Sequence, residues 1–299
     1  FFILAIEWIY QFLHEYSLTI IVVALFVRLV LLPIDMKQRI NSKKMVSINP
    51  EIEGLKKRYG NNPEQLNLRI NKLYKERGIS PMAGCLPMLL QLVFLLAFYG
   101  ALRSIAAKET MSLVLRAAEN GASSIELTRW LWVNNLWQPD SGMAGILPSA
   151  SEFLTFLQSN NNIITPQTMG ILQSKGLILF NEGILSVNEA AYNALSSGII
   201  AANGLMGLNN GWFILPLLSG GAMFLQQWIS SKLNPNPAME QQMGMMKYIY
   251  PILSFVICLS SNTMFAIYWM FTSIYSVAVD FFFNFYYKRK EEKGSRKKA

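Results

Sequence analysis

The chain has 299 residues, 52% of them hydrophobic and only 15% charged, against about 25% charge in soluble domains, so the composition is that of a membrane protein. Its net charge of +8 comes from 26 Lys and Arg against 18 Asp and Glu, and in so apolar a chain that surplus points to cytoplasmic loops before it points to nucleic acid. Cys85 and Cys258 lie in apolar runs without a CxxC pair, and His14 has no second histidine. A disulfide framework and a metal site are therefore not expected, and no GxSxG, HExxH, P-loop or GxGxxG motif appears: the expectation is a non-enzyme with no cofactor.

The chain opens FFILAIEWIY rather than with Met and reads as a trimmed or mature sequence. Residues 1–16 are apolar but interrupted by Glu7, His14 and Glu15, which suits an extracytoplasmic interfacial helix better than a span. Residues 17–34 form the first predicted span, with Arg28 inside it. Residues 35–83 hold eleven Lys and Arg and five acids. They read as a basic cytoplasmic hairpin of two helices, joined to the spans through Pro33 and Pro81. The first helix covers about 36–59, bent near Pro50. In the second, Asn62 is the N-cap, Pro63 the first helical residue and Gln65 the capping-box partner, with Gly78 as the stop. The hairpin is either a connector on anionic lipid or a docking surface.

Residues 84–103 are the second span. Residues 104–211, with four basic and seven acidic residues, are an outer loop with short helices. In it Trp130, Trp132 and Trp137 read as an interfacial aromatic belt, and SVNE at 186–189 as a capping box opening a helix. Spans three, four and five fall at 212–230, 248–262 and 264–287. A cytoplasmic loop at 231–247 separates the third from the fourth, and SSNT makes the tight turn between the last two. The tail 288–299 holds seven basic and two acidic residues. Short basic loops stay inside, which puts the N-terminus outside and the C-terminus in the cytoplasm.

Depth organises the polar residues of the spans. At 1.5 Å of rise per residue, Arg28 and Gln91 lie roughly 9–10 Å from the cytoplasmic ends of their spans. Gln226 and Gln227 lie about 5–6 Å in, Ser254 about 9 Å, and Ser276 and Asp280 about 10–16 Å. Every span offers a polar group to the inner half of the bilayer. The predicted fold is thus all-α: five transmembrane helices around a hydrophilic groove in the inner leaflet, open to the cytoplasm and closed outside. Taken singly, these residues have ordinary readings. Arg28 can snorkel, the glutamines can hold helices together, Trp228 can be packing or belt, and Asp280 can face Lys288.

VRLVLLPIDMKQ, GCLPMLLQLVFLLAFYGALR, LWQPD, ILPLLSGGAMFLQQW and YIYPILSF…FAIYWMFTSIYSV stand in this order along the chain. In that order they resemble the landmarks of the YidC-type membrane protein insertases, the Oxa/Alb superfamily. The resemblance covers nearly everything but 141–210. The chain lacks the large outer domain that Gram-negative members place before the arginine span, so it is similar to the shorter Gram-positive type. The resemblance implies insertion and folding of membrane proteins in the bacterial plasma membrane, alone or beside the Sec translocon. It maps the family's arginine onto Arg28, its groove glutamine onto Gln91 and a third-span position onto Trp228. The implied partners are nascent membrane proteins, lipid, the Sec translocon and the ribosome, with the monomer as the working unit. The alternative is a small-solute or anion transporter with Arg28 as the anion site. Against it stand the odd span count and the absence of paired half-helices.

Overall fold

A computed structural model describes residues 2–79, 86–160, 164–233 and 246–296. Pro81, Cys85, most of the expected loop at 231–247 and the last three residues lie outside the described residues. Among the described residues the chain forms eleven α-helices and one β-hairpin. In chain order these are α1 (Phe2–Leu13), α2 (Tyr16–Ser47), α3 (Asn49–Tyr59), α4 (Pro63–Glu76), α5 (Leu86–Asn120), α6 (Ala150–Ser159) and α7 (Pro166–Ser174). They continue as β1 (Ile178–Asn181), β2 (Ile184–Val187), α8 (Glu189–Ala202), α9 (Ile214–Leu233), α10 (Met246–Ser260) and α11 (Thr263–Arg296).

Three helices overrun the boundaries that hydropathy suggests. Helix α2 does not stop near residue 34; it continues through Pro33 to Ser47. The joint expected at Pro33 is helix interior, and the chain turns instead at Ile48, just before Pro50 in the first turn of α3. Helix α5 continues seventeen residues past 103 to Asn120, so the stretch expected to be an outer loop begins as helix. Helix α11 carries the basic tail as far as Arg296. The cause is the same each time: the apolar run ends, but Met, Lys, Gln, Glu, Ala and Arg that follow are good helix formers. Gly121, at φ +91°, supplies the backbone break that finally ends α5, its N–H donating to Ala117 O at 2.9 Å.

The chain divides into two compact units. The first holds Phe1–Ile20, Phe98–Ser219 and Phe255–Trp269. Here α2, α9 and α11 begin and α10 ends. Helix α1 is fixed by Phe2 edge-on to Phe98 (5.6 Å), by Tyr10 stacked on Tyr16 (3.9 Å), and by Lys108 Nζ donating to Glu7 Oε1 (2.7 Å). The hydrogen bond to Glu7 pushes Lys108 above its ordinary pKa. Leu4, Trp8 and Phe12, one turn apart, stay exposed on α1. Thr263, at the start of α11, donates through both N (3.0 Å) and Oγ1 (2.7 Å) to Gln138 O. Asn262 donates to Leu102 O (3.4 Å) and caps Phe265 N (3.0 Å).

The LWQPD stretch is a buried fastening. Asp140 is fully buried. Its Oδ2 accepts from Trp132 Nε1 (2.9 Å) and Leu215 N (2.7 Å), and its Oδ1 from Trp212 N (2.8 Å). A carboxylate at the first turn of α9 satisfies orphan N–H groups and faces the positive end of the helix. Trp137 is buried with its ring 4.8 Å from Tyr16, and Trp132 is tied to Asp140. The expected belt is therefore partly core and partly cap support.

The region that composition left unassigned is a folded subdomain. Phe153, Leu157, Leu172, Ile178, Tyr192 and Ile199 pack with Met111, Val114 and Ala117 of the α5 extension. Ser149 and Glu152 form a capping box on α6. Glu182 and Gly183, both at positive φ, make the two-residue turn between β1 and β2. The helix expected after SVNE is present as α8, but its cap is Asn188, accepting from Ala191 N at 3.3 Å. Ser186 lies in β2, paired with Leu179.

Tyr192 stacks on Phe153 (4.7 Å) and donates its buried hydroxyl to Pro148 O (2.9 Å). Burial pushes its pKa up. The protonated form is thus favoured in the folded state, so its stabilisation is present below the unfolded value of about 10 and lost as pH rises past it. Alkaline unfolding of the detergent-solubilised protein should begin above about pH 10. Tyr192→Phe should weaken that dependence while costing about 1 kcal/mol at neutral pH. Thermal melts across the pH series check both.

The second unit holds Ile21–Ala97, Gly220–Ser254 and Met270–Ala299. Its α3–α4 hairpin packs Ile48 and Ile52 against Leu73 and Ile79, and Arg77 donates to Glu51 at 2.7 Å. Asn62 accepts from Gln65 N (3.1 Å), with Pro63 in the first turn. Gly78, at φ +60°, ends α4 with Ile79 N bonded back to Tyr74 O (2.9 Å).

Candidate functional site

The second unit contains every residue expected to line a polar site. Arg28, Asp35 and Arg39 lie seven and four residues apart on α2, and Thr272, Ser276 and Asp280 four apart on α11, so each set shares one helix face. The two faces meet. Tyr275 Oη donates to Arg28 O (3.4 Å), Arg39 pairs with Asp280, and Lys43 Nζ stands over Phe283 (5.4 Å) and Tyr287 (4.5 Å). Contacts that advance together along both helices mean that α2 and α11 run parallel here.

Arg28 is buried, although α2 turns Val22, Leu25, Phe26, Leu29 and Val30 outward. Thr272, Ser273, Ser276 and Asp280 are buried as well. Asp35 lies close enough to Arg28, Arg39 and Asp280 to feel all three charges. Asp280 is the counter-ion of Arg39, which also stacks 5.8 Å from the Phe283 ring; the side chain of Lys288 lies outside the described residues.

The other expected site residues separate into groups. Ser254 is fully buried on α10 and its Oγ has no hydrogen-bond partner among the described residues. Ser276 Oγ returns to its own helix, donating to Thr272 O at 2.9 Å. Gln226 and Gln227 are half-buried on α9. Trp228 lies on the exposed stripe of that helix with Leu217, Phe224 and Leu225, so it does not join the buried polar groups. Gln91 is in α5, and its side chain lies outside the described residues. Asp35, Arg39 and Tyr275 were not singled out from the sequence. The signal available was the shared spacing of charges on α2 and hydroxyls on α11, which is visible only once the two helices are known to be neighbours.

The outward apolar faces are as informative as the polar interior. Among the described residues, α2 and the Thr263–Tyr287 part of α11 are long and apolar enough to cross a membrane, and most of the apolar stretch of α2 is unburied. Helix α10 exposes Tyr248, Ile249, Ile252, Leu253 and Val256. A soluble protein hides such side chains; lipid solvates them.

Comparison with known proteins agrees with this inside-out character. A family model described as 60Kd inner membrane protein matches residues 8–181, a stretch that includes Arg28 and Gln91. The membrane protein insertase YidC of Clostridium perfringens is 38% identical over 144 residues, 48% of this chain and 52% of that protein. That of Caldanaerobacter subterraneus is 35% identical over 154 residues, 52% of this chain and 66% of the relative. That of Chlorobium phaeovibrioides is 24% identical over 280 residues, 93% of this chain but 35% of the relative. The chain thus spans between about a third and two thirds of the length of these relatives. The family match runs over more than half of the sequence and takes in the helix that keeps an arginine buried among outward-facing apolar residues, and on that ground the chain belongs to the 60Kd inner membrane protein family.

Proposed function

We propose that this protein inserts integral membrane proteins, as the names of its relatives state for them, and helps them fold. The observation that carries the reading is the buried polar set of the second unit, with Arg28 at its head, on helices whose outer faces are apolar. A substrate's short tail or loop must cross a hydrocarbon core of about 30 Å, and its backbone and acidic groups make that costly. In this reading Arg28, Gln91, Gln226, Gln227, Ser254 and Ser276 line a hydrated groove reaching part-way through the inner leaflet, with Trp228 on its lipid side. Arg28 offers five N–H donors to acidic or carbonyl groups of the passing chain. The unpartnered Ser254 hydroxyl is a ready place for a water or a substrate carbonyl. A potential negative inside drives each acidic group outward by about 2.3 kcal/mol per 100 mV, while the apolar helix leaves sideways into lipid.

Five spans with the N-terminus outside and the C-terminus in the cytoplasm fit this mechanism. The reading is supported by α2, α9 and α11 all beginning in one unit where α10 ends, and by the parallel course of α2 and α11. The α3–α4 hairpin and the basic end of α11 then lie on the side where nascent chains arrive. Reconstitution is the test. Pure liposomes carrying the protein should integrate a single-span substrate without any other factor. Flux of a labelled anion without integration would make it a transporter, and neither activity would leave it a packing partner of other membrane proteins.

The basic extension is expected to meet the ribosome. Deleting residues 288–299 should reduce ribosome co-sedimentation at low salt, with the difference vanishing at high salt, because cation–phosphate contacts weaken as counterions compete. The deletion removes the end of a helix that carries no described core residue, so the melting temperature should hold.

A further inference from the structure

Three outer loops present an apolar, charge-free surface that the proposed function does not use. They are residues 130–136, 139–146 and 204–213, and hydrogen bonds tie them together. Asn134 N donates to Asn210 O (3.1 Å) and Asn134 Nδ2 to Asn209 O (2.8 Å). Asn210 N donates to Ala144 O (3.0 Å), and Gly211 N to Ser141 O (3.3 Å). Asn210 is itself fully buried, its Nδ2 donating to Asn135 O and Pro139 O at 2.9 Å each. The backbone of the loops is held in place, which fixes where their tips stand.

Those side chains are large and apolar. Leu131 is 75% exposed, Met143 84%, Met206 64%, Leu208 52% and Trp212 69%. Leu131 has φ +50°, a left-handed backbone that a leucine adopts at a cost, in the turn closed by Trp130 and Val133. Across 130–146 and 204–213 the only charged residue is Asp140, which is buried as the cap of α9. Arg129 stands at the base of these loops, donating to Asn203 O at 3.1 Å, and the rest of the subdomain carries ordinary surface charges, among them Glu126, Glu152, Lys175 and Glu189.

We infer that these three loops form a lipid-docking surface, with Leu131, Met143, Met206, Leu208 and Trp212 seated in the headgroup–acyl boundary of the outer leaflet. Lipid is the occupant because the surface is continuous in the chain with lipid-facing helix: Trp212 stands two residues before α9, whose Leu217 and Leu218 are exposed. A firmly bonded backbone leaves few unmet polar groups at that depth, and the absence of charge suits the boundary. The surface fastens the outer subdomain to the bilayer beside the start of the third span. The inference rests on the membrane-spanning reading above.

The test uses the full chain with Cys85→Ser and Cys258→Ser, and one cysteine introduced at position 131, 143, 206 or 208. Each is labelled with an environment-sensitive fluorophore and reconstituted in phosphatidylcholine vesicles. Labels at the four positions should emit blue-shifted light and be quenched by lipids bearing a shallow spin label. A label at Ser151 or Glu189, both exposed, should emit as in water and escape quenching. A label at Val22 on α2 is the control for spanning: its quenching by deep spin labels, with all four loop labels behaving like Ser151, overturns the docking surface and leaves the spanning reading intact. Failure at Val22 as well overturns both. Loop labels that are blue-shifted but quenched by no lipid mark a protein-covered surface and also overturn the inference. Because insertion of a substrate is not the readout, a failed insertion assay has no bearing on the result.

Discussion

Arg28→Ala is expected to yield a folded protein whose insertion of acidic, weakly hydrophobic single-span substrates falls about ten- to a hundredfold. A hydrogen bond to a charged group contributes about 1.5–3 kcal/mol, and each 1.4 kcal/mol is about tenfold. The loss should be graded, largest for the substrate with the most negative tail and small for a neutral one. Arg28→Lys separates charge from geometry. A point charge on a flexible stem restores activity if charge is what matters, and does not if the planar donor fork is needed. The measurement is insertion of one substrate series, graded in negative charge, into liposomes bearing each variant. Equal insertion by wild type and Arg28→Ala along the whole series would reduce Arg28 to a snorkelling residue. The buried setting of Arg28, opposite Tyr275 and close to Asp35, argues against that outcome.

The second large effect is structural. Asp140→Ala should destabilise the protein by about 2–4 kcal/mol, because it strands the buried N–H of Leu215 together with the part-buried N–H groups of Trp132 and Trp212, and a stranded buried donor costs about 1–3 kcal/mol. Asp140→Asn keeps one acceptor oxygen and should fall between alanine and wild type. Gly211→Ala should resemble Asp140→Ala in direction, since a Cβ there would collide with the Asp140 carboxylate. Thermal unfolding in detergent ranks the three. Melting temperatures indistinguishable from wild type would show that the α9 cap is dispensable.

Where the sequence was legible, a local rule sufficed. Asn62 and Pro63 announce the start of α4 and Gly78 its end, because capping and left-handed backbone depend on residues a few positions apart. The turn between α10 and α11 is equally local. The helices run on past the expected span ends at Ile34, Arg103 and Tyr287, because helix propensity outlasts the apolar run. The outer subdomain was illegible for another reason. Its core residues Phe153, Leu172, Tyr192 and Ile199 are scattered through an Asn-, Ser- and Gly-rich stretch, and part of what they pack on is the α5 extension, beyond the end of the apolar run. The task of Asp140 is invisible along the chain, because its three donors sit eight, seventy-two and seventy-five residues away. Arg39 and Asp280 pair across 241 residues, beyond the reach of any periodicity.

The two hydrogen bonds from Thr263 to Gln138 and the one from Asn262 to Leu102 join parts of the first unit that are synthesised far apart in time. Residues 102 and 138 leave the ribosome long before 262 and 263. Until Asn262 and Thr263 are made, the carbonyls of Leu102 and Gln138 lack these partners, so two distant stretches of the first unit wait on the same late residues, and a chain stalled before them leaves both acceptors unmet.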